Sequence, residues 1–175
     1  MNNLSVEKQI DDEISVKLKK MRMVFFDFDG VFTDNRVIIS ENGEESVVCN
    51  RSDGIGLNML RSFGLEMLVL STETNSVVAA RSEKLEISCI HGCENKLETM
   101  NSVLSEKGIG SSEASFVGND VNDYACMTNV AIAVCVNDAF AEIKQISDIV
   151  LQRKGGDAAV REFCELVRLA RTQSP

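Results

Sequence analysis

Short apolar runs alternate with segments of helical periodicity along most of the chain. The apolar runs predict strands at 23–28, 65–70, 87–90, 114–117, 130–134 and 149–151. The segments between and after them predict helices at 54–63, 76–84, 95–107, 121–128, 138–145 and 157–171. Strands that are apolar on both faces and separated by helices are typical of a parallel sheet covered on both sides. The pattern therefore predicts an α/β domain with a doubly wound parallel sheet.

The stretch before the first strand follows a different pattern. Residues 4–20 place four apolar side chains at near-helical spacing, and three lysines lie in the last turn, where cations stabilise a helix. We expect an amphipathic helix within residues 1–20. A single domain is then expected over residues 21–175.

A second exception to the alternation comes directly after the first strand. Residues 37–39 and 47–49 are apolar and flank a polar stretch that contains Asn42 and Gly43. An Asn-Gly pair readily adopts the positive φ angles of a tight hairpin turn. We therefore expect an inserted β-hairpin at this point, and the insertion is too short to form a separate cap domain over the sheet.

Composition excludes several classes of protein. The 175 residues are 44% hydrophobic and 26% charged, which is typical of one folded globular domain. The net charge of −9 repels phosphate backbones, so a nucleic-acid partner is not expected. No apolar run is long enough to span a bilayer, and residues 1–20 lack the apolar core of a secretion signal. Six cysteines without a CxxC pair favour reduced thiols, and we expect a cytoplasmic protein without a membrane partner.

Chemically active side chains cluster where the predicted strands end. Ligands bind beyond the carboxyl ends of the strands in an open α/β sheet. The residues at or after the first four such ends are Asp27 and Asp29, then Ser71 to Glu73, then Lys96, and finally Asn119 to Asp123. Four successive strand ends thus present carboxylates, a hydroxyl and an ammonium group to one crevice.

Crowded carboxylates repel one another unless a cation lies between them, and Mg²⁺ is the ion that oxygen ligands favour. With such a cation present, Asp27 could attack a phosphorus centre and form an aspartyl phosphate, while Asp29 acts as acid and then base. Ser71 and Lys96 would bind the phosphoryl oxygens and balance their charge. The expected metal ligands are Asp27, Asp29, Asn119, Asp120 and Asp123.

Each of these residues alone also has a simpler interpretation. Ser71 could cap a helix, Lys96 could be a surface lysine, and the acids after Asn119 could begin a helix. Their joint occurrence at four successive strand ends favours an active site instead. A zinc site at residues 89–93 would have only two cysteines and one histidine, so it is disfavoured.

Residues 21–171 resemble the haloacid dehalogenase superfamily of phosphatases. Residues 27–34 match the first motif DxDGVxTD, and the hydroxyl, lysine and acidic motifs fall on Ser71, Lys96 and residues 119–123. The missing cap, the hairpin and the sequence RSDGIG from residue 51 are similar to the small capless branch. That branch includes 3-deoxy-manno-octulosonate 8-phosphate phosphatases, sugar-acid 9-phosphate phosphatases, and a related domain appended to some acylneuraminate cytidylyltransferases.

The resemblance implies a Rossmann-like fold, Mg²⁺, a small sugar-acid phosphate as substrate, and a homotetramer. In this branch the hairpins join at the centre of the tetramer, and a neighbour partly covers each active site. The residues expected to bind the substrate are Thr33, Arg51, Asp53, Thr72 and Glu73. A segment at 154–162 resembles the GGxGAVRE sequence of these proteins and would lie near the subunit boundary, although Ala158 replaces its third glycine.

Two departures from the branch affect the predicted substrate and metal. Glu73 stands where the octulosonate phosphatases have arginine, which favours a nonulosonate 9-phosphate of the sialic-acid type over the octulosonate 8-phosphate. Asn119 stands where aspartate is usual and lowers the negative charge, so Asp120 could become a direct ligand with Asp123 behind it. The alternative is a weakly active or inactive oligomerisation or regulatory domain that serves an acylneuraminate cytidylyltransferase.

Overall fold

The computed structural model describes residues 11–172. Helix α1 covers Asp12–Lys20 and begins at a capping residue, Asp11, whose side chain accepts a hydrogen bond from the Ile14 amide at 2.8 Å. Ile14 and Leu18 are buried, and the helix packs against the last helix of the same chain. The predicted N-terminal helix is thus present from residue 12, and its earlier part lies outside the described residues.

Within residues 11–172, eight strands form two sheets. They are β1 Met23–Phe26, β2 Ile38–Ile39, β3 Glu45–Ser46, β4 Glu66–Leu70, β5 Ser88–Ile90, β6 Ala114–Gly118, β7 Ile132–Cys135 and β8 Ile149–Val150. Six of them make one sheet in the order β5-β4-β1-β6-β7-β8, and every pair in it is parallel. The predicted doubly wound sheet is confirmed, and each of its six strands overlaps a predicted apolar run.

In the part of the chain that the structure describes, six α-helices follow α1. They are α2 Ser52–Ser62, α3 Val77–Leu85, α4 Lys96–Lys107, α5 Tyr124–Met127, α6 Ala141–Ile146 and α7 Ala159–Thr172. The helix predicted at 121–128 is divided, because Val121–Asp123 forms a 3-10 turn in which the Asp120 carboxylate accepts the Val121 amide at 2.6 Å. Within residues 11–172 no helix combines the length and apolar character needed to cross a membrane.

The core centres on β1, whose four residues are all buried. Phe25 stacks with Phe116 of β6 at 6.4 Å between ring centroids, while Phe26 meets Phe163 of α7 edge to face at 6.3 Å. Successive side chains of β1 therefore point to opposite faces of the sheet, and both faces are covered. This burial fixes β1 in the middle of the sheet and holds its carboxyl end in place.

The inserted hairpin consists of β2 and β3, which pair antiparallel. Gly43 lies in the turn with φ +83, as the Asn-Gly signal predicts. The first strand, β2, is shorter than the predicted run at 37–39, and β3 lies at Glu45–Ser46, before the predicted run at 47–49. A bridge between Thr33 and Cys49 closes the base of the insertion. The apolar side chains of the hairpin, Val37, Ile38, Ile39 and Val48, are exposed in the single chain.

Candidate active site

A cavity of about 200 Å³ lies at the carboxyl ends of β1, β4 and β6. The loops after these three neighbouring strands supply its lining, as expected for an open parallel sheet. The lining residues are Asp27, Asp29, Asn35, Ser71, Thr72, Asn119, Asp120, Val121 and Asn122. Six of them are predicted site residues, whereas Asn35, Val121 and Asn122 are not.

Three buried charged side chains meet beside this cavity. The Lys96 ammonium donates hydrogen bonds to the carboxylates of Asp27 and Asp123, both at 2.7 Å. None of the three is more than 4% exposed. Lys96 is the first residue of α4, and the preceding Asn95 caps that helix by accepting the Glu98 amide at 3.2 Å. A buried lysine almost always has charged partners, and here two separate loops supply them.

The electrostatics of this cluster favour an additional cation. Burial and the charge of Asp123 raise the pKa of Asp27 to about 7, and the nearby Lys96 ammonium only partly opposes that rise. Burial alone would lower the pKa of Lys96, but the two carboxylates outweigh it, and the net shift is upward. When all three groups are ionised, the cluster carries a net charge of −1 in a desolvated space.

Asp123 uses its oxygens within the protein. One oxygen accepts from Lys96, and the other accepts the backbone amides of Asn119 at 3.0 Å and Asp120 at 3.4 Å. A Cβ at Gly118 would lie 2.6 Å from the Asp123 carboxylate, so only glycine fits there. Asp123 does not line the cavity. Its position therefore supports a role in holding Lys96 and the loop. This agrees with the predicted alternative in which Asp123 lies behind Asp120, and it does not support Asp123 as a direct metal ligand.

Asn119 is a predicted metal ligand whose side-chain oxygen is available. It is 6% exposed, and its buried Oδ1 has no hydrogen-bond partner among the described residues. A Cβ at Gly30, where φ is +80, would lie 2.0 Å from the Asn119 amide nitrogen, so glycine gives this side chain its space. A buried amide oxygen without a partner costs free energy unless a ligand satisfies it.

The available oxygens fit a hard divalent cation. Asp27, Asp29, Asn119 and Asp120 all line the cavity and offer carboxylate or amide oxygens. Within residues 11–172 no three His, Cys, Asp or Glu side chains converge as a metal site, and the Asn119 amide oxygen adds a donor to the carboxylates that line the cavity. One Asp120 oxygen already accepts the Val121 amide.

The Thr33 hydroxyl links residues within the loop after β1. It donates to Asp29 at 3.4 Å and accepts the backbone amides of Gly30 at 3.1 Å and Asn35 at 3.2 Å. Thr33 is fully buried and does not line the cavity, so the structure does not support its predicted contact with the substrate. Burial, with a further contribution from Glu73, raises the pKa of Asp29, which favours its acid form.

The loop after β4 contains the second group of predicted residues. Ser71 is buried at the cavity, and its hydroxyl accepts the Glu73 amide at 3.1 Å, while Thr72 is exposed at the opening. The Glu73 carboxylate accepts the amides of Thr74 at 2.7 Å and Asn75 at 2.9 Å. Glu73 therefore shapes its own loop and lies outside the cavity lining in this chain.

Two further predicted substrate-binding residues lie away from the cavity lining. Asp53 is fully buried between α2 and α7, where one oxygen accepts the Arg161 amide at 3.2 Å and the other has no partner within residues 11–172. Burial raises the pKa of Asp53 to about 6. Arg51 is exposed directly before α2. Within the single chain, neither residue is brought together with the catalytic groups.

The pair Gly155 and Gly156 packs behind the loop after β1. Gly156 donates to the Val31 carbonyl at 3.1 Å, and Gly155 donates to the Asp138 carboxylate at 3.0 Å. A Cβ at Gly155 would lie 2.0 Å from the Gly30 carbonyl oxygen. The sequence identifies this glycine segment only by resemblance. The structure shows that in this chain it positions the loop that contains Asp27 and Asp29.

Comparisons with known proteins agree with this geometry. Residues 68–163 match a family model described as haloacid dehalogenase-like hydrolase. The chain is 30% identical over 162 residues to 3-deoxy-D-manno-octulosonate 8-phosphate phosphatase KdsC of Escherichia coli, covering 92% of this chain and 86% of that protein.

Solved structures extend the likeness. A HAD family hydrolase from Streptomyces avermitilis shares 41% identity with a TM-score of 0.83, covering 85% of this chain and 86% of that one. The octulosonate phosphatase of Moraxella catarrhalis, solved with magnesium, phosphate and KDO, shares 27% identity with a TM-score of 0.89 over 93% of this chain and 94% of that one. The predicted resemblance is confirmed, and the chain belongs to the haloacid dehalogenase-like hydrolases as a phosphatase similar to the octulosonate 8-phosphate enzymes.

Proposed function

We propose that this chain is a Mg²⁺-dependent phosphatase of a sugar-acid phosphate and that the substrate is a nonulosonate 9-phosphate. The observation that carries the proposal is the buried contact of Lys96 with both Asp27 and Asp123, next to a cavity lined by Asp29, Ser71 and the unpartnered Asn119 oxygen. A buried carboxylate beside an ammonium group and spare oxygen ligands is what attack on a phosphate monoester requires.

The proposed reaction uses these residues in two steps. A carboxylate oxygen of Asp27 attacks phosphorus, the ester bond to the sugar breaks, and Asp29 gives its proton to the leaving oxygen. Asp29 then takes a proton from water, whose oxygen attacks the aspartyl phosphate, releasing inorganic phosphate and restoring Asp27. The raised pKa of Asp29 suits its first step as an acid. Ser71 and Lys96 bind phosphoryl oxygens in both steps.

The chemistry of the donor set supports the metal assignment. Asp27, Asp29 and Asn119 would hold Mg²⁺, with Asp120 as a further oxygen donor at the rim. When bound, the cation supplies positive charge that reduces repulsion between the Asp27 carboxylate and an incoming phosphate. Asn119 contributes less negative charge than aspartate would, so we expect Asn119→Asp to tighten Mg²⁺ binding in calorimetry.

The loop after β4 supports the nonulosonate assignment. Glu73 is bonded to the amides of Thr74 and Asn75, and the described residues that line the cavity include no arginine or lysine. An octulosonate 8-phosphate would therefore lack the cationic partner that arginine supplies in the octulosonate phosphatases, and this departure at Glu73 is the reason for placing the nonulosonate first. The octulosonate 8-phosphate is the second candidate, because the Escherichia coli relative acts on it.

The experiment compares both compounds in a phosphate-release assay with and without Mg²⁺. We expect the parent chain to prefer the nonulosonate 9-phosphate, and Glu73→Arg to shift the preference toward the octulosonate 8-phosphate. Glu94→Arg serves as the matched control for the change of charge, because Glu94 is exposed after the neighbouring strand β5 and lies outside the loop after β4. Equal turnover of both compounds by the parent and by Glu73→Arg would remove the reason for choosing the nonulosonate.

We also propose that the active chain is a homotetramer in the cytoplasm. The cavity of about 200 Å³ is smaller than the pockets that enclose drug-sized ligands, and the apolar hairpin residues from Val37 to Val48 are exposed in the single chain. A second copy of the chain that covered the hairpin and the opening of the cavity would bury the apolar side chains and enclose more of the substrate. Light scattering tests the proposal, with Ile39→Asp expected to lower the mass and Val16→Asp on α1 as the control.

A further inference from the structure

The walls of the cavity form two tiers that differ in burial. The floor contains the buried side chains of Asp27, Ser71 and Asn119, with Lys96 directly behind them. The exposed side chains of the rim are Asn35, Thr72, Val121 and Asn122. Because phosphorus must reach the buried Asp27 carboxylate, the phosphate end of the substrate enters the floor. The leaving group therefore lies against the rim.

The rim offers neutral hydrogen-bonding groups to that leaving group. Asn35, Thr72 and Asn122 carry amides and a hydroxyl, each able both to donate and to accept hydrogen bonds. No lysine, arginine or histidine is found among the described residues that line the cavity. Groups of this kind match the hydroxyls of a polyol chain. The rim thus suits the sugar part of a phosphate monoester next to its ester oxygen.

Asn35 is the rim residue with the most restricted backbone. Its φ of +63 lies in the left-handed region, where few residues other than glycine are found. The backbone amide of Asn35 donates a hydrogen bond to the Thr33 hydroxyl at 3.2 Å, and that hydroxyl also contacts Asp29. The position of Asn35 is therefore fixed relative to the catalytic carboxylates.

The side chain of Asn35 is not used to stabilise its own turn. Asparagine is common at such positions because its side chain can bond the local backbone. Asn42 in the hairpin does so, since its oxygen accepts the Glu44 amide at 3.2 Å. The Asn35 side chain, in contrast, has no hydrogen-bond partner within residues 11–172, although it borders the cavity. The side-chain amide of Asn35 is thus available to a ligand.

We propose that Asn35 is a specificity-determining residue whose side-chain amide binds a hydroxyl of the leaving group, close to the phosphate ester. The proposal rests on the proposed phosphatase function and adds the part of the substrate that this chain itself recognises. Asn122, across the same rim, is the second amide available to the polyol. Alternatively, asparagine could be present only because it tolerates the left-handed backbone. In that case, replacing it with glycine would not change substrate binding.

The test is Asn35→Gly, which keeps the left-handed backbone and removes only the amide side chain. Glu86→Gly is the matched control, because Glu86 also has a positive φ, of +55, at the end of α3 and does not line the cavity. Both variants and the parent are assayed with the nonulosonate 9-phosphate, the octulosonate 8-phosphate and p-nitrophenyl phosphate, whose leaving group has no sugar hydroxyls.

We expect Asn35→Gly to raise KM for the better sugar-acid phosphate about three- to tenfold, the effect of one neutral hydrogen bond. We expect kcat/KM for p-nitrophenyl phosphate to stay unchanged, and Glu86→Gly to match the parent on all three compounds. An unchanged KM, or an equal loss on the sugar phosphate and the aryl phosphate, overturns the proposal.

A binding measurement separates this proposal from the phosphatase function on which it rests. The better sugar phosphate is titrated by calorimetry into Asp27→Asn, with and without Asn35→Gly. If the parent releases no phosphate but Asn35→Gly weakens this binding, the proposed function fails and the Asn35 assignment stands. If Asn35→Gly leaves the affinity unchanged, or if no sugar phosphate binds, the Asn35 assignment fails.

Discussion

Asp27 and Asp53 are both buried carboxylates, and burial raises the pKa of both, to about 7 and about 6. Their surroundings nevertheless differ. Asp27 borders a cavity and accepts a hydrogen bond from the Lys96 ammonium. Asp53 is enclosed between two helices, and within residues 11–172 it accepts a hydrogen bond only from the Arg161 backbone amide, the third N–H of α7. A buried acid with a raised pKa is therefore not by itself a sign of catalysis; access to a ligand distinguishes the two.

The Asp27 side of this comparison gives the largest predicted effect. Asp27→Asn removes the nucleophile, and we expect the rate of phosphate release to fall by about 10⁴-fold or more. The fold should persist, because the change also removes repulsion with the Asp123 carboxylate. Phosphate-release kinetics and thermal melting measure the two effects, with Asp12→Asn, an exposed acid of α1, as the control. Activity within about tenfold of the parent would disprove the assignment of the nucleophile.

The second prediction concerns the contribution of the Lys96 ammonium group to turnover and to stability. Lys96→Met leaves Asp27 and Asp123 without a cation, and we expect turnover to fall by about 10²- to 10³-fold. The loss of one partner in a buried ion pair should lower the free energy of unfolding by about 3–5 kcal/mol.

Urea unfolding and steady-state kinetics measure the consequences of Lys96→Met. Lys107→Met is the control, because Lys107 pairs with Glu66 at 3.0 Å on the surface, where we expect a change below about 1 kcal/mol. Equal loss of stability in both variants would show that the buried cluster is not held by Lys96.

Proton competition at Asp27 gives a smaller, tenfold effect. The pKa of Asp27 is raised to about 7 before metal binds, and only the carboxylate binds a cation. The apparent affinity for Mg²⁺ should therefore fall about tenfold between pH 8 and pH 6. Calorimetry at the two pH values measures it. In Asp27→Asn most of this pH dependence should vanish, and a parent affinity that stays constant would contradict the raised pKa.

Asp53 gives the smallest effect on turnover. Its raised pKa means that folding disfavours the ionised form, so its contribution to stability is greatest below pH 4 and declines as the pH rises to about 6. Asp53→Asn removes that penalty and should increase the free energy of unfolding by up to about 3 kcal/mol at pH 7.5.

The test for Asp53→Asn is urea unfolding between pH 5 and pH 8, together with phosphate release. The gain should diminish toward pH 5, and turnover should stay within about twofold of the parent. A large loss of turnover at unchanged stability would instead place Asp53 at the substrate, as the family resemblance implies.

The architecture could be predicted because hydrophobic burial repeats along the chain. Apolar runs such as the one around Phe25 are buried on both faces, and a parallel sheet is the arrangement that allows this. The ends of helices and strands were harder to predict, because local side-chain hydrogen bonds to the backbone determine them. The helix predicted at 121–128 is divided since the Asp120 and Asp123 carboxylates bind backbone amides in its first turn.

The candidate site was predictable where sheet topology places residues. Asp27, Ser71, Lys96 and Asn119 follow different strands, and parallel pairing brings those strand ends together. Side-chain direction could not be derived in this way. The Thr33 hydroxyl and the Glu73 carboxylate form hydrogen bonds within their own loops. Asn35 could be identified as a residue of the cavity rim only from the structure.

The tight packing of Gly155 against the Gly30 carbonyl has a consequence for protein synthesis. The loop that contains Asp27 is translated more than a hundred residues before the glycine pair that packs against it. An incomplete polypeptide that already contains Asp27, Asp29 and Lys96 thus lacks the backbone contact that positions this loop. We therefore expect the proposed activity only after Gly155 and Gly156 have been synthesised.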